Sequence, residues 1–273
     1  MFTNLYVALC GAALTAATYT LLGWPVRADA ATALVFSATL VVYNLDRLVE
    51  PSPGDSPHEK WVAQHRGMLW GLTGLATAGC AASVVFLGTP ARGSLLLPAV
   101  IALGYCVPVL PRRTPGGWRM TRLKEVPGAK LLLIGGVWTY ATAGLPMLEA
   151  GVSFWTLPSA VLLLGRLLFI LAVALPFDIP DIARDRASGI MTLPQSLGLA
   201  GTRRVALGLT AGFAACAALH PWPAAAGVLV SAAVTAALLL AMHEQRGVVY
   251  YEVALDGLLL AQSALLFAAA WPV

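Results

Sequence analysis

Nine runs of mostly apolar residues divide this chain, at roughly 4–23, 30–46, 68–88, 93–110, 126–148, 153–177, 203–219, 222–242 and 254–272. Runs of about 17 to 25 residues suffice to cross the hydrocarbon core of a bilayer as helices. Backbone groups in lipid must be satisfied within the segment, so such runs are helices and not barrel strands. Only 11% of the residues are charged, against about 25% in a soluble domain. These features predict an all-α polytopic membrane protein, a bundle of about nine transmembrane helices. They leave no room for a separate soluble domain, so residues 1–273 read as one transmembrane domain. No basic residue precedes the first run, which therefore reads as a span and not as a signal peptide. Cys10, Cys80, Cys106 and Cys216 all lie within apolar runs without metal-ligand spacing, as small core residues do.

The basic residues report topology. Fourteen of the seventeen fall in the loops after the second, fourth, sixth and eighth spans, or just inside the fifth, all on one face. By the positive-inside rule that face is cytoplasmic, which puts the N-terminus inside and the C-terminus outside. The net charge of +4 is thereby explained without nucleic acid as a partner. The expected location is the cell (cytoplasmic) membrane, with the lipid bilayer as solvent.

Two span ends on that face are acidic. After the sixth span, Asp178, Asp181 and Asp185 fall at i, i+3 and i+7, one face of a helix. After the second, Asp46 and Glu50 stand at i and i+4. The four-span separation suggests two related halves, split near 150, whose acidic ends face each other. Carboxylates crowded at the mouth of a membrane span need counter-charge. Mg2+ meets that need with one or two carboxylates, waters and the oxygens of a phosphate. On spacing alone the alternative is a solvated acidic loop capping a span. Lys124 and Lys130 flank Glu125, and Lys130 lies about a turn inside the fifth span, a depth that calls for an ionic partner. Tyr43 and Tyr105, at span ends, read as interface-belt aromatics. Arg166, in mid-span, is too far from Asp178 along the helix to touch a metal there.

At these motifs the chain resembles the UbiA-type intramembrane prenyltransferase superfamily, over nearly its whole length. D-I-P-D-I-A-R-D-R-A-S-G-I-M-T-L-P-Q-S-L-G, residues 178–198, is similar to the family's D-x-x-D-x-x-x-D followed by a basic residue, Gly and T-L-P. The first motif departs from the family's N-D-x-x-D-R-x-x-D. Asp46-Arg47-Leu48-Val49-Glu50 matches its second half with Glu for the last Asp, but Val42 and Tyr43 stand where Asn and Asp are expected. Asn44 is two residues before Asp46. With no Gly or Pro between Ala38 and Glu50 to break the helix, Asn44 is expected about 200° round from Asp46 and off the metal face.

The resemblance implies a Mg2+-dependent prenyltransferase that moves a prenyl group from a prenyl diphosphate to a lipophilic, aromatic, quinone-precursor-like acceptor. It implies metal ligands at Asp46, Glu50, Asp178, Asp181 and Asp185, with Asp46, Asp178 and Asp181 catalytic. Diphosphate contacts are expected from Arg47, Arg184 and Arg186, and from Lys124 and Lys130. The altered first motif keeps two alternatives open. One is a related enzyme that cyclises or otherwise processes the prenyl chain. The other is a non-catalytic isoprenoid-binding member.

Overall fold

The structure, a computed structural model, describes residues 4–49, 57–114, 117–126, 128–180, 182, 192–243, 246–247 and 249–270. Among these, the helices are α1 (Leu5–Leu21), α2 (Ala30–Val49), α3 (Pro57–Gln64), α4 (Arg66–Phe86), α5 (Thr89–Ser94), α6 (Leu96–Cys106) and α7 (Ala129–Thr139). They continue with α8 (Leu145–Glu149), α9 (Leu157–Ala174), α10 (Leu193–Cys216), α11 (Ala224–Leu240) and α12 (Asp256–Ala270). The protein is an all-α polytopic membrane protein. The stretches Ala30–Val49, Arg66–Phe86, Ala129–Glu149 and Leu157–Asp178 are each long and apolar enough to cross a membrane. Leu5–Leu21, Ala224–Leu240 and Val253–Ala269 are shorter apolar helices.

Two boundaries differ from the sequence expectation, each for a local reason. The fourth span does not run to residue 110: α6 stops at Cys106, and Val107 turns extended (φ −105°, ψ 139°). The proline that follows it disfavours helical geometry there. The chain then forms a hairpin, β1 (Leu110–Thr114) against β2 (Gly117–Thr121), with Arg112 opposite Arg119. Helix α10, which answers to the seventh expected span, begins at Leu193, ten residues before the expected start. Extended Thr192 is its N-cap and a proline sits in its first turn. Gly198 interrupts it at φ 63°, ψ 176°, a conformation that side chains resist.

The helices close into a ring. Going round, α4 packs on α2, α2 on α1, α1 on α12, α12 on α11, α11 on α10, α10 on α9 and α9 on α7. Helix α6 bridges α7 back to α2. Between lipid-solvated helices, close approach replaces the hydrophobic effect as the source of attraction, so small residues mark the contacts. A Cβ on Gly135 would meet Leu171 Cδ2 at 2.6 Å, and one on Gly79 would meet Ser37 Oγ at 2.7 Å. Hydroxyls in the spans are turned inward along their own helices. Thr15, Thr73 and Thr210 donate to the carbonyls four residues back, at 2.8, 2.7 and 2.9 Å, which satisfies them in lipid.

The two sides of the ring differ. Leu14, Phe169, Phe213, Val228 and Leu258 belong to one buried cluster that fills the side built by α1 and α9–α12. Arg166 is 3% exposed within it. Its guanidinium donates to Thr18 Oγ1 at 2.9 Å and to Gln262 Oε1 at 3.2 Å, tying α9 to α1 and α12. Thr18 in turn donates to Thr142 O at 2.6 Å. That carbonyl lies in the π-helical turn Tyr140–Gly144 between α7 and α8. The side built by α2, α4, α6 and α7 is hollow. Gly135→Val is expected to lower the unfolding temperature in detergent, through overpacking worth about 1–3 kcal/mol. An unchanged melting temperature would mean that α7 and α9 are not in the contact described.

Candidate active site

One short connection serves both acidic span ends. Asp46 lies in the penultimate turn of α2, where the seam facing the hollow reaches the end of the bundle. Lys124, in the 3-10 turn Leu123–Glu125, places Nζ 2.7 Å from Asp46 Oδ1. Lys130, in the first turn of α7, pairs with Asp178 Oδ1. Asp178 ends the 3-10 turn Leu175–Asp178 that continues α9. Arg122 Nε bonds Glu125 Oε1 at 2.7 Å, which holds the connection in shape. Residues 122–130 therefore carry a cation to each of two carboxylates that come from helices remote in sequence. The ionic partner expected for Lys130 is Asp178.

Two cavities meet at this end. The larger, about 660 Å3, is lined along α2 by Asp46, Tyr43, Val42, Thr39, Ala38 and Val35. These positions recur every three to four residues, one seam of a helix. The opposite walls come from α6 and from α7 through Leu145. The smaller, about 300 Å3, is lined by Lys130, Asp178, Tyr251 and Asp256, among others. Tyr43, Tyr105, Ile134 and Trp138 line both. Tyr43 and Trp138 meet edge to face with ring centroids 6.5 Å apart. Lys124 Nζ sits 5.7 Å from the centroid of Tyr105. Tyr43 and Tyr105 are thus cavity walls between two ion pairs, not belt residues facing lipid headgroups. Tyr43 is three residues from Asp46 and shares its face.

Asn44 is turned away, as a regular helix requires. It is fully buried and its Oδ1 accepts from Asn4 Nδ2 at 2.8 Å. Helix α2 runs unbroken from Ala30 to Val49, so no amide replaces the carboxylate that the first motif lacks at Tyr43. Arg47, in the last turn of α2, lines neither cavity. Glu50, Asp181, Arg184, Asp185 and Arg186 lie outside the described residues. Sequence reasoning missed Asp256, the first residue of α12 and a wall of the smaller cavity. A carboxylate at the start of an apolar helix, four residues after Glu252 and preceded by a π-helical turn at Tyr250–Leu255, was the available signal.

No protein-family profile matches the sequence, and no curated protein does. Solved structures do. A UbiA homolog from Archaeoglobus fulgidus, solved bound to GPP and Mg2+, aligns over 98% of this chain and 99% of its own, at 13% identity and a TM-score of 0.66. The apo structure of a UbiA homolog from Aeropyrum pernix K1 aligns over 96% and 97%, at 18% identity and a TM-score of 0.65. A digeranylgeranylglyceryl phosphate synthase aligns over 98% and 93%, at 11% identity and a TM-score of 0.57. The fold is the UbiA fold. The likeness spans whole chains on both sides, so the arrangement of helices is shared at the level of the fold.

The Lys130–Asp178 pair has its side chains 32% and 13% exposed. It therefore lies between exposed pairs, worth about 0–1 kcal/mol, and buried pairs, whose breakage costs about 3–5 kcal/mol. Lys130→Ala alone is expected to destabilise the protein within that interval. Adding Asp178→Ala should recover part of the loss. Strict additivity in thermal unfolding would show that the two side chains do not interact.

Proposed function

We propose that the protein is a Mg2+-dependent prenyltransferase that moves a prenyl group from a prenyl diphosphate to a lipophilic aromatic acceptor of the quinone-precursor kind. One observation carries the reading: two carboxylates, each held by a lysine of one short connection, stand at the end of the bundle where a deep apolar cavity begins. The UbiA homolog bound to GPP and Mg2+ supports the same pairing of ligands.

The donor set suits Mg2+. The ion takes few carboxylates and fills its octahedron with water and phosphate oxygens, and Asp46 and Asp178 offer hard oxygen ligands beside cations that suit an anionic substrate. Asp46 with Glu50 at the first acidic end, and Asp178 with Asp181 and Asp185 at the second, would hold Mg2+, with Asp46, Asp178 and Asp181 the catalytic carboxylates. Bound there, it would neutralise charge on the leaving diphosphate. Lys124 and Lys130, with Arg47, Arg184 and Arg186, supply the fixed positive charge that stabilises the same developing anion. The allylic C1–O bond breaks with its electron pair going to the diphosphate. The faces of Tyr43, Tyr105 and Trp138 surround the junction where the allylic cation forms, and aromatic faces attract cations. The apolar walls keep water from capturing it. The acceptor's π electrons form the new bond to C1, and the acceptor loses a proton.

The altered first motif favours a second reading. Tyr43 and the averted Asn44 leave the first site one ligand short, as in a protein that binds an isoprenoid diphosphate without turning it over. Purified protein given a prenyl diphosphate, Mg2+ and aromatic acceptors separates the two. Transfer predicts diphosphate release that Asp46→Ala or Asp178→Ala lowers at least about tenfold, and that Asn44→Ala leaves nearly unchanged. Tight binding with no release supports the non-catalytic reading. Absence of both removes each of them.

We further propose that the acidic ends face the cytoplasm, from the loop charge bias. A reporter fused after Val273 is then expected to behave as external, and cytoplasmic behaviour would overturn this orientation.

A further inference from the structure

The larger cavity has a measurable depth and a floor. Along α2 its wall runs from Asp46 to Leu34, twelve residues, or about 18 Å at the helical rise. Along α7 and α8 it runs from Leu133 to Leu145, the same length. At that level a buried cluster closes in. Leu34, Leu87, Ala91 and Leu145 are 7%, 2%, 0% and 2% exposed and pack as one cluster. The Ser94 hydroxyl is hydrogen-bonded to that of Tyr140 across this floor. Arg92, which also lines the cavity, donates to Leu87 O at 2.8 Å and Val85 O at 3.1 Å, so the shaft meets a charged group there.

An extended isoprene unit adds four chain carbons at bond lengths of roughly 1.5 Å, and so advances about 4–5 Å. A shaft of about 18 Å takes about four units when filled from Asp46, and about three when filled from Tyr43, nine residues above Leu34. Its width is set by small side chains. Ala38 stands about 12 Å below Asp46 on α2, and Ala141 stands one turn below Trp138 on the opposite wall, both lining the cavity.

Building on the proposed function, we infer that this chain selects prenyl diphosphates of three to four isoprene units, C15 to C20, and that Ala38 and Ala141 keep the shaft open to that depth. In a membrane the tail lies in hydrocarbon whether bound or free, so length is read by fit and not by burial from water. A shorter tail leaves the lower shaft unfilled and forgoes its contacts. A much longer one meets the floor and must leave the bundle.

Calorimetric titration with Mg2+ and the C10, C15, C20 and C40 prenyl diphosphates tests this. The wild-type protein is expected to bind C15 and C20 at least about tenfold more tightly than C10 or C40. Ala38→Phe and Ala141→Phe, on separate helices, should each weaken C20 binding by about tenfold or more, and weaken it several-fold more than they weaken C10 binding. Inorganic diphosphate, which reaches only the ion pairs, should bind both variants as it binds the wild type. Should either Phe variant fail to bind it, Ala38→Leu and Ala141→Leu carry the same comparison. A flat length profile, a preference for C40, or C20 binding that survives both substitutions overturns the inference while leaving the prenyl diphosphate reading intact. Failure of every prenyl diphosphate to bind the wild-type protein removes the reading on which it rests.

Discussion

Charge next to hydrocarbon has to be compensated, and most of what is particular about this protein follows from how it is done. Asp46 and Asp178 sit on different helices at one end of the bundle, each lining one of the two cavities that meet there. Both are met by lysines from residues 122–130, with Lys124 taking one and Lys130 the other. An unpaired carboxylate at this depth would be driven out of the bundle or neutralised. The two pairs therefore fix how α2, α7 and α9 end relative to one another, and with that the mouth of the cavity between them. The same lysines suit a diphosphate, because the charge that balances a carboxylate at rest is available to a more highly charged anion when one arrives.

The ring also divides labour between its sides. One side is packed, with an aromatic pair at Phe169 and Phe213 whose centroids lie 5.0 Å apart, and with Arg166 held among neutral oxygens. The other side keeps an apolar shaft. Small residues recur on both sides for different reasons. Gly135 and Gly79 bring helices together, whereas Ala38 and Ala141 hold a space open between them. A rigid packed half makes the hollow half a fixed gauge, since interiors packed at crystal density do not deform to follow a ligand.

Much of this was written in the sequence. Long apolar runs allow only helices in a membrane, so the all-α polytopic class could be read directly. The break at Val107, the hairpin after it and the early start at Thr192 could not be read from apolarity, because proline and cap geometry decide them locally. The acidic ends were legible from spacing, and the turned-away Asn44 from helical angle alone. The partners of the carboxylates were not. Lys124 is 78 residues from Asp46, and Lys130 is 48 from Asp178. Which lysine meets which carboxylate depends on how helices dock, which periodicity does not encode. Tyr43 and Tyr105 show the same limit. Their depth pointed to an interface, while the direction each side chain takes makes them cavity walls.

The central claim is that the paired acidic ends and the hollow half form one ligand site, headgroup at the pairs and tail in the shaft. The most direct measurement is an electron-microscopy structure of the protein in lipid nanodiscs with Mg2+ and an unreactive geranylgeranyl thiodiphosphate. The account predicts diphosphate density bracketed by Asp46 and Asp178 within reach of Lys124 and Lys130, and continuous tail density along Tyr43, Ala38 and Ala141 ending at Leu34. A diphosphate bound away from both aspartates, or a tail running along the outside of the bundle while the shaft stays empty, would contradict it.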